Sequence, residues 1–230
     1  MSQLFTPALP VLEALSAYEV KAVGGAVRSW LRKDPLTGLD IDLAINATPD
    51  QTEEALHAAA IPTSDAGKRW GTVTALLNGE SFEITSLRED VYMPGSRYPT
   101  VNFITDWEAD AHRRDFTINA IYLSPQEELY DPFDGSTDLR NGIVRFIGAP
   151  EVRLSEDPLR LYRFWRFCGH YGLGGVNADL IEVFRNALPG LISVSRSRRQ
   201  TEWQKLQESP QGVAVVAELQ RHDLYEDMAV

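Results

Sequence analysis

Cysteine is almost missing from this chain: Cys168 is its one thiol, so an intramolecular disulfide is impossible. That scarcity suits a reducing compartment. Histidine is sparse too, and His57, His112, His170 and His222 are scattered without metal-ligand spacing, which argues against zinc. No apolar run approaches the roughly 20 residues that a membrane-spanning helix needs. Met1-Ser2-Gln3-Leu4-Phe5 has no basic segment followed by a long apolar stretch, so no signal peptide is expected. The expected location is the cytoplasm, with no membrane partner. Basic residues are outnumbered, 22 Lys and Arg against 33 Asp and Glu, for a net charge of −11. Such a balance argues against a general nucleic-acid sponge, because phosphate binding rests on Lys and Arg. It leaves room for a local basic groove: arginines gather at 113–114, at 160, 163 and 166, and at 196, 198 and 199. Composition by itself favours a solvated surface with scattered charge.

What is present is an ordinary globular apolar content, 43% over 230 residues, enough for one large domain or two small ones. The first half mixes element types. Pro10 to Tyr18 has a helical pattern, Val20 to Val23 a strand pattern, and Gly24-Gly25 marks a turn before a helix from Ala26. Leu39 to Ile45 alternates as a strand. Thr48-Pro49-Asp50 opens a helix to about Ala60, with Thr48 as cap. Gly71 to Leu77 and Ser81 to Leu87 form a hairpin across Asn78-Gly79, a favoured turn pair. Further apolar runs cover Phe116 to Leu123 and Gly142 to Ile147. Beyond Ala149 strands become scarce, and Pro158 to Gly169, Ala178 to Asn186 and Ser195 to Glu208 all have helical patterns.

The chemistry starts from Asp40-Ile41-Asp42. On a strand, residues two apart face the same way, so both carboxylates share a face while Ile41 turns to the core. Such a pair suits Mg²⁺, which takes one or two carboxylates plus substrate phosphate oxygens. Alone, the pattern is more often the wet face of an edge strand. Gly24-Gly25-Ala26-Val27-Arg28 shifts that weighting, because a glycine turn at a helix N-terminus lets backbone N–H groups approach phosphate. Arg28 on that first turn could grip a triphosphate.

Gly-Gly-Ala-Val-Arg followed by Asp-Ile-Asp resembles the signature of class II tRNA nucleotidyltransferases, which include CCA-adding enzymes and bacterial poly(A) polymerases. Arg113-Arg114-Asp115-Phe116-Thr117-Ile118-Asn119-Ala120 is similar to the family's RRDFT motif. The stretch from Asp131 to Asp138 and then Arg145-Phe146-Ile147-Gly148 is similar to its linker. Glu156-Asp157-Pro158-Leu159-Arg160, with Arg163 and Arg166, is similar to its base-selecting helix. The likeness covers roughly residues 18–208, and residues 82–148 look closest to mitochondrial and proteobacterial CCA-adding members.

This resemblance implies an α/β nucleotidyltransferase head over residues 1–148, a polymerase-β-like mixed sheet with flanking helices. An all-α neck over 149–230 follows, with the C-terminal body and tail domains absent. It implies addition of C and A to tRNA 3′ ends from CTP and ATP, with poly(A) addition, C-only or A-only addition, or a catalytically weak RNA-binding module as alternatives. It implies magnesium held by Asp40 and Asp42, and Glu83 as a third carboxylate, whose other reading is a surface hairpin residue. Gly24, Gly25, Arg28 and Arg114 are implied as nucleotide contacts, Arg114 at sugar or phosphate. Asp115 and Asn119, four apart on an expected helix, either join that motif's chemistry or order it.

Asp157 and Arg160 bear on base choice. Cytosine and adenine both present an amino donor beside a ring-nitrogen acceptor, and an ionised Asp with an Arg supplies the complement, which uracil and guanine do not match. Asp157 also precedes Pro158, as a helix cap does before a first-turn proline. Arg163 and Arg166 continue the spacing and suit triphosphate or base contacts, whereas Leu161, Phe164, Trp165 and Phe167 belong to the core. The segment from Arg88 to Asp106 is similar to the family's flexible loop, with Arg97-Tyr98-Pro99 where Arg-His-Pro is common. Two departures stand out: Ser29 replaces an expected Asp, and Ser197 an expected Glu.

Overall fold

The computed structural model describes residues 3–91 and 100–229, divided into two compact units. The first comprises residues up to Arg114 and Asn119–Ser136; the second comprises Asp115–Ile118 and Thr137 onward. The second unit therefore takes in residues 115–118 and 137–148, which the sequence pattern groups with the head. Thr117 and Ile147 account for this locally: their amides donate to the carbonyls of Arg145 and Asp115, and Phe116 bridges to Phe146.

In the first unit a 3₁₀ turn, Gln3–Ala8, runs into α1 (Leu9–Ala14). The order then is β1 (Val20–Val23), α2 (Gly25–Arg32), β2 (Asp42–Ile45), α3 (Pro49–Ala58), β3 (Thr63–Ser64), β4 (Thr72–Leu77) and β5 (Glu80–Ser86). It continues with β6 (Arg88–Val91), β7 (Thr100–Phe103), α4 (Trp107–His112), β8 (Tyr122–Leu123) and β9 (Leu129–Tyr130). Seven strands make one mixed sheet, ordered β3-β4-β5-β2-β1-β8-β9, in which only β2 and β5 run parallel. That parallel pair needs a long crossover, supplied by α3 and its following strands. The Asn78-Gly79 hairpin forms as expected: both residues take positive φ, 53° and 81°, which a two-residue primed turn requires. Thr48 caps α3 in a capping box with Gln51, also as expected. The core is continuous from Leu4, Phe5 and Val11 through Leu43, Ile45, Val73 and Ile84 to Ile121.

The strand expected from Leu39 begins only at Asp42. Val23 is the partner of Asp42, and β1 ends there at the Gly24 turn, so Leu39–Ile41 have no partner on the β1 side. The alternation survives: Ile41 is buried, Asp40 exposed and Asp42 half-buried. The flexible-loop segment contains a two-stranded antiparallel sheet, β6 with β7. Gly95 and Arg97-Tyr98-Pro99 lie outside the described residues.

The second unit is helical, taking in α5 (Gly135–Arg140) from Thr137 onward, then α6 (Pro150–Glu156), α7 (Leu159–Tyr171), α8 (Ala178–Ala187), α9 (Arg196–Gln207), α10 (Gly212–Arg221) and α11 (Tyr225–Met228). An aromatic cluster fills it. Phe164 stacks on Phe146 at 5.7 Å and meets Phe184 and Trp165 edge-on at 4.9 and 5.3 Å. Leu161, Phe164, Trp165 and Phe167 are all buried, as their spacing predicts. Cys168 is buried there too, and burial alone pushes its thiol far above the usual range, so it is inert packing.

Candidate active site

The first unit gathers Gly24, Gly25, Arg28, Asp40, Asp42, Glu83 and Arg114. Asp42 sits where three strands adjoin: Val23 of β1 is its partner on one side, and Leu43 pairs with Ile84 on the other, which places Glu83 beside it. Burial, then the Glu83 charge, raise the pKa of Asp42, and Asp40 adds to this; Arg114 and Arg28 pull it the other way. Glu83 and Asp40 are exposed. None of the three carboxylates makes a hydrogen bond or ion pair with another described residue. Among the described residues, no group of three or more His, Cys, Asp or Glu is placed to hold a metal ion. The geometry instead offers a crowded set of like charges, centred on Asp42.

Gly24 runs along this site with φ 77° and ψ −131°, a conformation open essentially to glycine alone. A Cβ added there would lie 3.4 Å from Asp42 Oδ2. The turn thus brings bare backbone against the carboxylate and delivers the chain into α2.

The arginines are tethered. Arg28, 9% exposed, donates to Asn119 Oδ1. Arg114 donates through Nε and Nη2 to Asp110 Oδ2 at 3.2 and 3.0 Å, and through Nε to the Tyr122 hydroxyl at 2.9 Å. Asp115 and Asn119 do not share a helix. The segment tightens to a 3₁₀ turn, Thr117–Asn119, so Asn119 meets Arg28 in the first unit while Asp115 accepts from Arg163 Nε at 2.7 Å in the second. Sequence reasoning missed Asp110 and Tyr122. The signal for Asp110 was there: an acid four residues before Arg114, the favourable helical order.

In the second unit, Asp157 adopts an extended backbone before Pro158, and its Oδ1 accepts from Leu159 N at 3.0 Å. That is cap geometry. Its Oδ2 accepts from Arg198 Nη2 at 3.1 Å, a partner 41 residues away. Arg160 bonds to Glu156 and to the Arg153 carbonyl. Arg163 pairs with Asp115 and Arg166 with Glu202, and Arg166 also lies over the Phe167 ring at 4.0 Å. Each arginine of α7 therefore has an acidic partner within its own unit. Glu202 keeps a buried ion pair in place, while exposed Ser197 shares a side-chain hydrogen bond with Ser195.

Comparison with known proteins adds the following. The family model for the poly A polymerase head domain matches residues 20–145. The mitochondrial CCA tRNA nucleotidyltransferase 1 of Danio rerio is 39% identical over 210 residues, covering 88% of this chain and 48% of that protein. A CCA-adding enzyme of Streptococcus pneumoniae is 35% identical over 235 residues, covering 100% of this chain and 57% of its own length. The crystal structure of the Bacillus stearothermophilus CCA-adding enzyme in complex with CTP superposes with a TM-score of 0.83 at 31% identity, over 97% of this chain and 53% of that one. The chain spans about half the length of the curated relatives it matches. The mixed sheet with flanking helices and the helical C-terminal part agree with the expected fold class.

Proposed function

Because the chain belongs to the poly A polymerase head domain family, we propose that it adds C and A residues to the 3′ end of tRNA, using CTP and ATP. The observation that carries this reading is the Asp42 site: a half-buried carboxylate between Asp40 and Glu83, edged by a glycine-only turn. Like charges held together without hydrogen bonds fit a divalent cation, whose binding would offset the burial and the Glu83 repulsion that together raise the pKa of Asp42. Asp40 and Asp42 would hold Mg²⁺, with Glu83 beside them. Two protein carboxylates and substrate phosphate oxygens match its ordinary coordination. When bound, the ion supplies positive charge against the triphosphate.

In the reaction, the RNA 3′-hydroxyl releases its proton to solvent as its oxygen bonds to the α-phosphorus, the α–β phosphoanhydride breaks and pyrophosphate leaves. Gly24 and Gly25 present backbone to the phosphates at the start of α2. Arg28 and Arg114 add fixed positive charge, oriented by Asn119 and Asp110. Asp157 and Arg160 read the base, and Arg163 and Arg166 support that helix through their ion pairs while lying beside it. A cytoplasmic location suits the lone buried thiol.

The test offers the purified chain tRNAs ending before CCA, after C and after CC, each nucleoside triphosphate singly, with Mg²⁺. Addition of CMP, then AMP, then a stop supports the reading. Long A tails assign poly(A) addition, addition of C or A alone assigns a partial enzyme, and no incorporation overturns transfer. Asp157→Asn tests base reading, since Asn caps as well as Asp and only the solvent-exposed Arg198 pair is weakened besides. The unfolding midpoint should hold while preference for CTP over UTP drops at least about tenfold, because an amide donor replaces one acceptor. Unchanged preference would leave Asp157 a cap only.

A further inference from the structure

Asp110 belongs to none of the motifs used above, yet it is the most deeply buried acid among the described residues, at 0% exposure. Its two oxygens face different neighbours. Oδ1 accepts from the backbone N of Arg88 at 3.3 Å, where β6 begins, and from Arg113 Nε at 2.8 Å. Oδ2 accepts from Arg114 Nε and Nη2 and from the Tyr122 hydroxyl at 2.7 Å. Arg113 extends the first set, reaching Asp90 Oδ2 at 3.9 Å, and Asp90 also pairs with Arg88 at 3.0 Å. On the other side, Val23 pairs with both Tyr122 and Asp42, so Arg114, bonded to the Tyr122 hydroxyl, is held one strand away from Asp42.

A guanidinium beside several carboxylates would by default fork onto one of them. Here two of its nitrogens are committed to Asp110 instead, and the Tyr122 hydroxyl both donates to Asp110 and accepts from Arg114. We infer that Asp110, with Tyr122, is a positioning residue for the nucleotidyl transfer proposed above, fixing the direction of Arg114 beside Asp42 and joining it to the start of β6. The inference rests on Arg114 as a nucleotide contact.

The experiment compares the full chain with Asp110→Asn, Tyr122→Phe, Arg114→Ala and the two doubles that combine each of the first with Arg114→Ala. Tyr122→Phe, which removes only one hydroxyl, covers the case in which Asp110→Asn fails to fold. Two readouts are taken: the KM and kcat for CTP in primer extension, and the Arg114 Nε–H resonance in ¹⁵N spectra, assigned by its loss in Arg114→Ala. Asp110→Asn and Tyr122→Phe should raise KM about tenfold and about threefold, with kcat within about twofold. Neither should raise it further once Arg114 is gone, the sign of a shared pathway. The resonance should shift and broaden in both single variants. KM effects that multiply in the doubles overturn the inference, as does an Nε–H signal left unchanged in both single variants. An inactive wild type with a perturbed resonance overturns nucleotidyl transfer while keeping Asp110 as the group that holds Arg114.

Discussion

Asp110 also sets an acid limit on the head. Burial disfavours its ionised form, yet Arg114 and Arg113, with the Tyr122 hydroxyl, bring its pKa down from 3.8 to about 2. A carboxyl whose folded value is depressed contributes stability that is present above its unfolded value and is lost as pH falls through the folded one. At about 1.4 kcal/mol per pH unit, the gap between 3.8 and about 2 is worth about 2 kcal/mol at neutral pH. Asp110→Asn removes that contribution and leaves Arg113 and Arg114 half-paired, so the total loss at pH 7 should be about 3 kcal/mol. Urea unfolding of both chains, followed by circular dichroism from pH 7 to pH 2.5, measures the difference. It should stay level down to about pH 5 and then narrow by most of about 2 kcal/mol. A difference that stays level to pH 2.5, or widens in acid, refutes the charged anchor at Asp110.

Gly24→Ala forces a side chain into φ 77°, ψ −131° at a cost of about 1–3 kcal/mol. It should cut nucleotide addition at least about tenfold, since relaxing the strain moves the turn off Asp42. Gly79→Ala, where an added Cβ meets nothing within 4 Å, should lose about 1 kcal/mol of stability and keep its activity; equal activity losses in primer extension would separate the turn from the chemistry. Asn119→Ala removes a buried acceptor from Arg28, so titration calorimetry with Mg²⁺ and CTP should show affinity falling about tenfold. Unchanged affinity would make that contact purely structural.

Much of this molecule is legible locally. Asn78-Gly79 announces its hairpin because few residue pairs tolerate positive φ twice in succession. Thr48 and Gln51 announce α3 by capping each other's orphan amides. The apolar spacing along α7 separates core from arginine face. What stays hidden depends on residues far apart in sequence. The end of β2 at Asp42 follows from where β1 stops, 19 positions earlier in the ladder's pairing. Arg163 with Asp115, Arg166 with Glu202 and Arg198 with Asp157 are 48, 36 and 41 residues apart, and no periodicity records them. Asp115 and Asn119 look like one helical pair, yet a 3₁₀ turn sends them to different arginines. The carboxylate motif and its setting are readable only when the glycine turn and downstream motifs are taken together, because each alone has an ordinary structural explanation.

The charges of the head follow one rule that no single motif displays. Asp40, Asp42 and Glu83 lack hydrogen bonds and ion pairs with described residues, whereas Arg28 and Arg114 are held by other acceptors, Asn119 and Asp110. Opposite unit charges 4 Å apart attract by about 4 kcal/mol at the effective dielectric of a protein surface. Left loose, either arginine would therefore close onto Asp42 and neutralise the site before any ligand arrived. Asn119 and Asp110 offset that attraction at fixed points away from the strand end. The acids then stay open to a cation and the bases stay aimed at an anion, as a bound metal–triphosphate requires. Burying Asp110 completely carries a desolvation penalty, which the Tyr122 hydroxyl and two arginines more than offset where the chain is already packed.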